Sequence, residues 1–173
     1  MTPEFSRPYR LDTLGQPKDV EIAATAEECA ALARRFGLQE IAQLAATARI
    51  TTGDAGIDAV GRMTARATQS CVVTGEPVPA VLDQRFTIRF VAEDAADSVE
   101  EIELSAEDCD VMEHDGQVID LGEAVAQTLG LALDPYPRAP SAEERLREAG
   151  VLSEGEAGPF GALAALKDKL TKG

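Results

Sequence analysis

Apolar and polar positions alternate with a period of two through the middle of the chain. In Asp58–Cys71, Arg62, Thr64, Arg66 and Thr68 fall on one side, while Met63, Ala65, Ala67 and Cys71 fall on the other. In Ala80–Val91, Leu82, Phe86, Ile88 and Phe90 alternate with Asp83, Arg85, Thr87 and Arg89. One apolar and one polar face is the pattern of a half-buried antiparallel strand. A third strand is expected over Val99–Ser105, with Ile102 and Leu104 inward and Glu101 and Glu103 outward. Short connections make a meander the natural arrangement, with Thr74–Pro79 as the first loop. Its register would put Arg89 opposite Arg62 and Arg85 opposite Arg66. Closing the second turn would put Arg89 opposite Glu101, Thr87 opposite Glu103 and Ile88 on Ile102. Opposed like charges cost up to about 1 kcal/mol, and the glutamates would offset that.

Upstream, Leu44, Ala46, Ala48 and Ile50 alternate with small or polar residues, so Ile41–Thr51 is expected as a strand before a turn at Asp54–Gly56. Glu4–Leu11 and Asp19–Ala24 read as short strands around Gly15-Gln16-Pro17. The period changes to helical in two places. Thr25 and Glu28 form a capping-box pattern, Cys29, Leu32, Ala33 and Phe36 share a face, and Gly37 stands where a C′ glycine belongs. Over Ile119–Leu133, Asp120 caps, Glu123 occupies N3, and Leu121, Val125, Leu129 and Ala132 form the apolar stripe. Asp134-Pro135-Tyr136-Pro137 ends that helix.

From Arg138 the chain is richer in Pro, Gly, Ser and charge. Ser141 and Glu144 suggest a capped helix to Ala149, and Phe160, Leu163, Leu166 and Leu170 an amphipathic one. The expected fold is α+β: a curved antiparallel sheet or open barrel, helices at 26–36 and 120–133, and a tail. Residues 1–137 would be one domain and 138–173 a flexible C-terminal segment.

Composition sharpens this. The chain has 173 residues, 45% hydrophobic but only 4% aromatic and without Trp, so its core must be aliphatic. No stretch approaches the roughly 18 apolar residues of a membrane span, and Met1–Arg10 lacks an apolar signal-peptide region, so a cytoplasmic protein is expected. Net charge is −15, from 16 basic and 31 acidic residues. It argues against a broad nucleic-acid surface or an anionic membrane surface.

The charge is concentrated. Residues 91–137 hold 14 acids and no base, whereas residues 1–90 hold 11 acids and 10 bases. One reading is a solvated acidic face. The other is a surface for a basic partner, with Glu100, Glu101, Glu103, Glu107, Asp108, Asp110, Glu113 and Asp115 as the candidate contacts. The arginines of the two central strands likewise have two readings: Arg–Glu cross-strand pairs, or an RNA-binding patch of Arg62, Arg66, Arg85 and Arg89 on phosphate.

Catalytic chemistry is hard to find. There is no Walker loop, GxGxxG, HExxH or GxSxG, and His114 is the only histidine. Cys29, Cys71 and Cys109 are widely spaced and form no CxxC pair, so neither a disulfide framework nor a zinc site is expected. Glu107-Asp108-Cys109-Asp110 lacks EF-hand spacing. No cofactor, small-molecule substrate or enzymatic activity is expected.

Several motifs carry a family likeness. They are Phe5-Ser6-Arg7-Pro8; Val60-Gly61-Arg62 through Gln69-Ser70-Cys71-Val72-Val73-Thr74-Gly75-Glu76-Pro77-Val78; Ile119-Asp120-Leu121-Gly122-Glu123; Leu129 through Asp134-Pro135-Tyr136-Pro137; and Gly158-Pro159-Phe160 through Lys167. In order and spacing the chain resembles the YceD family, the large ribosomal RNA subunit accumulation proteins, in their alphaproteobacterial form. The resemblance spans roughly Glu4 to Lys167 and singles out Gln69, Cys71, Thr74, Pro77, Asp120, Leu121 and Pro135. It implies a non-enzymatic role in 23S rRNA accumulation or processing and ribosome assembly. A basic ribosomal protein of the large subunit, or ribosomal RNA precursor itself, is the implied partner. Many members carry a second cysteine where Thr74 stands here, and metal ligation is therefore not carried over. Cys71 is expected instead to pack at a strand end, with Thr74 and Gly75 shaping the turn.

Overall fold

The computed structural model describes residues 3–92 and 110–151. Two compact units are distinguished, residues 1–69 with 79–135 and residues 70–78 with 136–173.

The first unit is built on an open five-stranded sheet. Its strands are β2 (Lys18–Ala23), β3 (Glu40–Gly53), β4 (Gly56–Ser70), β5 (Pro77–Ala92) and β6 (Asp110–His114), in that spatial order. A two-stranded ribbon pairs β1 (Pro8–Arg10) antiparallel with β7 (Val118–Asp120). Helices α1 (Ala26–Phe36) and α2 (Leu121–Ala132) complete the α+β architecture. The alternation determines the sheet's inner face. Leu44, Ala46, Ala48 and Ile50 of β3, Met63, Ala65 and Ala67 of β4, and Phe86, Ile88 and Phe90 of β5 are all buried. They join Leu32 of α1 and Leu121, Val125 and Leu129 of α2 in one core.

The helix ends form as their sequences dictate. The Thr25 hydroxyl accepts the Glu28 N–H, the Glu28 carboxylate accepts the Thr25 N–H, and Gly37 closes α1 at φ +66°. Asp120 accepts the N–H groups of Gly122 and Glu123 at the start of α2.

Three expectations need correction. First, the sheet is not a simple meander, because β6 runs parallel to β5, pairing Ile88 with Asp110, Arg89 with Val111 and Phe90 with Met112. On that edge of β5 the neighbours of Ile88 and Arg89 are thus Asp110 and Val111. The expected strand Val99–Ser105 lies outside the described residues, as does the helix over Phe160–Leu170. Secondly, Arg89 does not oppose Arg62. That register would leave Asp83 six residues, about 20 Å, along the strand from Arg62, whereas the Arg62 guanidinium grips the Asp83 carboxylate with two hydrogen bonds. Thirdly, the strand expected over Glu4–Leu11 is shorter, with only Pro8–Arg10, β1, in a ladder. It pairs with β7, which three residues after a Gly116 turn did not announce.

In the second unit, α3 (Ala142–Glu148) follows Ser141, and Cys71, Ala139 and Ala142 form a small cluster with Val73 and Val78 against it. The helix is where it was expected, but the Ser141 side chain does not cap it. Its hydroxyl donates to Glu76 instead.

Candidate functional site

The quoted motifs turn out to hold the fold together. Arg7 places both arms of its guanidinium on Glu28, at 2.7 and 2.9 Å, and also donates to the carbonyls of Ser6 and Ala23. Glu28 is thus both a capping-box glutamate and a bidentate ion-pair partner, and the Arg7 guanidinium holds its carboxyl down to about 2. Asp120 accepts the Arg7 N–H at 2.7 Å and the Ser6 hydroxyl as well as capping α2. Leu121 N–H donates to the Arg7 carbonyl at 3.1 Å. Gly122 sits so close to this segment that a Cβ would lie 2.6 Å from the Phe5 carbonyl oxygen and 2.8 Å from the Arg7 nitrogen. Phe5-Ser6-Arg7-Pro8 and Asp120-Leu121-Gly122-Glu123 are therefore two halves of one joint.

The motif at the end of β4 also shapes backbone. Gln69 is buried and donates to the Asp134 carbonyl at 2.7 Å. In the second unit, the Gly75 N–H bonds the Cys71 carbonyl at 2.9 Å, and the Cys71 N–H bonds the Glu76 carbonyl at 2.8 Å. Gly75 has φ +74°, which glycine adopts at little steric cost. Thr74 donates its N–H to the buried Cys71 sulfur and its hydroxyl to Glu76. The N–H groups of Ala139, Thr74 and Val73, with the Thr74 side chain, draw the Cys71 thiol down to about 7. Cys71 thus packs at the strand end with Thr74 and Gly75 forming the turn. Pro77 opens β5, and Pro135 follows the end of α2. Among the described residues no group of three His, Cys, Asp or Glu side chains is arranged to hold a metal ion.

The acidic stretch divides by use. Asp120 caps α2, and Glu123 makes two hydrogen bonds to Arg35, at 2.7 and 2.8 Å, which lower its pKa. Asp115 accepts the N–H groups of Gln117 and Val118, and so shapes the turn before β7. Asp110 and Glu113 are exposed on β6, an edge strand of the sheet, and make no hydrogen bond or ion pair with any described residue. Glu100, Glu101, Glu103, Glu107 and Asp108 lie outside the described residues.

The four sheet arginines share the outer face but not one role. Arg62 is bound to Asp83, and Arg89 pairs with Asp58 at 2.7 Å. The Arg62 guanidinium lowers the Asp83 pKa, and Arg85 adds to that shift from nearby. Arg66 and Arg85 are exposed and make no hydrogen bond or ion pair with any described residue. Asp83 and Asp58, the carboxylates that hold Arg62 and Arg89, stand on the same two strands as those arginines. A shallow open depression of about 570 Å³ crosses β2, β3 and β4 on this face, lined by Asp19, Glu21, Thr47, Arg49, Val60 and Arg62. It mixes both signs of charge. No buried side-chain nitrogen or oxygen among the described residues lacks a partner.

These features define a class first: an α+β protein on an open sheet, with unspent ionisable groups exposed on its strands. The chain belongs to the YceD family, the large ribosomal RNA subunit accumulation proteins, whose model matches residues 59–167. Its role is therefore in accumulation of the large-subunit ribosomal RNA, and the family is named for that role and not for a catalysed reaction. The match takes in Gln69–Pro77, Asp120–Glu123 and Pro135, and begins after Phe5–Pro8. No curated protein and no solved structure matches the chain. No helix among the described residues is long and apolar enough to cross a membrane.

Proposed function

We propose that the protein is a non-enzymatic factor in 23S rRNA accumulation and ribosome assembly, acting in the cytoplasm by binding a basic ribosomal protein of the large subunit through residues 91–137. The observation that carries this reading is the charge of that stretch, 14 acids without a base, together with the exposed Asp110 and Glu113, which are spent on no described partner. An acidic surface of this density attracts a cationic protein over about 8–10 Å at physiological salt and repels phosphate.

The test is retention of cellular protein at low salt by the full chain and by a variant with Glu100, Glu101, Glu103, Glu107, Asp108, Asp110 and Glu113 changed to Gln or Asn. Asp115, Asp120 and Glu123 stay native, because they serve the turn, the helix cap and the Arg35 pair. The native chain should retain a basic large-subunit protein, less so as salt rises, and the variant should lose it. Equal retention by both would refute the reading.

A further inference from the structure

We propose that the outer face of β4 and β5 contacts the phosphate backbone of ribosomal RNA through Arg66 and Arg85. The inference concerns different residues from the acidic stretch and does not depend on it. It starts from an asymmetry. Four arginines stand on this face, and two are neutralised by local carboxylates, Arg62 by Asp83 and Arg89 by Asp58. Arg66 and Arg85 are exposed, with no hydrogen bond or ion pair to any described residue. In a chain of net charge −15, cations on paired strands next to matched Arg–Asp pairs are a local departure from the overall field.

The neighbouring groups suit phosphate. Thr64 and Thr68 share Arg66's face of β4, and Thr87 shares Arg85's face of β5. The hydroxyls of all three are uncommitted to any described residue. Guanidinium forks flanked by hydroxyl donors are the usual means of holding phosphate oxygens. Among the described residues of β4 and β5 the carboxylates in reach are few. Asp83 beside Arg85 is already held by Arg62. Glu40, opposite Thr68, makes no ion pair with Arg66. On β4 and β5 this face therefore carries four guanidinium groups against two carboxylates, Asp58 and Asp83. Of the two free acids on the edge strand, Asp110 pairs with Ile88, whose side chain lies on the opposite, buried face of β5, and Glu113 pairs with Val91, six residues from Arg85, about 20 Å along β5. That is about two Debye lengths at physiological salt. Two contacts make a weak, salt-sensitive site, an anchor on RNA already near the protein and not a tight binder. The family's role in large-subunit RNA accumulation supplies that nearness.

The test is fluorescence anisotropy of a labelled single-stranded oligoribonucleotide of ~20 nucleotides, titrated with the full chain between about 20 and about 150 mM salt. The native protein should bind with affinity that falls as salt rises. Arg66→Ala with Arg85→Ala should weaken binding severalfold and lower the slope of log affinity against log salt by about 1.4, or about 0.7 for each lost contact. Arg66→Lys with Arg85→Lys should keep most of the slope, and Arg49→Ala, whose partner is Asp19, should leave it unchanged. The two alanine positions lack described partners, so the thermal melt should not move. The acid-neutralised variant described above should bind the RNA at least as well as the native chain, which separates this result from the fate of the protein-partner reading. No binding by the native protein at low salt would overturn the proposal. So would an unaltered slope in the double alanine variant, or displacement of the RNA by an acidic peptide as effective as unlabelled RNA.

Discussion

Glu28→Gln tests the joint between the N-terminal segment and α1. The substitution keeps an acceptor for the Thr25 N–H but removes the charge that holds Arg7. In the native protein the Glu28 carboxyl is lowered from 4.5 to about 2, through Arg7 first and the Thr25 N–H after it. At 1.36 kcal/mol per pKa unit this corresponds to at most about 3 kcal/mol. The side chains of Arg7 and Glu28 are 29% and 21% exposed, so solvent screening reduces the figure to about 1–2 kcal/mol. The sign follows from the direction of the shift. A lowered carboxyl gives stability that is complete above its unfolded value, near 4.5, and is lost as pH falls towards 2. Urea unfolding followed by circular dichroism should therefore show the variant about 1–2 kcal/mol less stable at pH 7, with the gap closing towards zero near pH 2. Other lowered carboxyls, such as Glu123 beside Arg35, titrate in both proteins, so the difference between them isolates Glu28. A gap that is the same at pH 7 and pH 2, or absent at pH 7, would refute the reasoning.

The remaining predictions are briefer. Gly122→Ala should destabilise by about 2–3 kcal/mol, because its Cβ would press into the Phe5 carbonyl and the Arg7 nitrogen; a shift of the urea midpoint measures it, and an unchanged midpoint would show that the close approach is relaxed at no cost. Asp83→Asn should release Arg62 beside Arg85 and strengthen oligoribonucleotide binding in the anisotropy assay, with a steeper salt slope; weaker binding would contradict the role given to this face.

Much of the fold was legible because its strongest signals are local. The alternation in 58–71 and 80–91 determined which side chains of β4 and β5 turn inward, and Thr25, Glu28 and Gly37 marked both ends of α1. What was not legible depends on pairings between distant segments. Nothing in Asp110–His114 announces a parallel neighbour of β5, since a five-residue strand looks the same whichever way it pairs. The β4–β5 register depends on where each strand ends, and the chain leaves β4 at Ser70 and starts β5 at Pro77. The candidate arginines could be named from their shared face. Which of them were neutralised could not, because that depended on Asp58 and Asp83 lying on the same face within reach. The motif residues showed the converse. Arg7, Asp120 and Gly122 carried the family likeness, and their chemistry is consumed inside the fold.

We propose that the acidic side chains of residues 91–137 not used in the fold bind a basic ribosomal protein. This binding is tested most directly by purifying the tagged full chain and its acid-neutralised variant from cells at low salt and identifying bound protein and RNA together. The native chain should carry a basic large-subunit protein in near-stoichiometric amount, released by salt and absent from the variant. The same proteins on both chains, or ribosomal RNA alone on the native one, would contradict it.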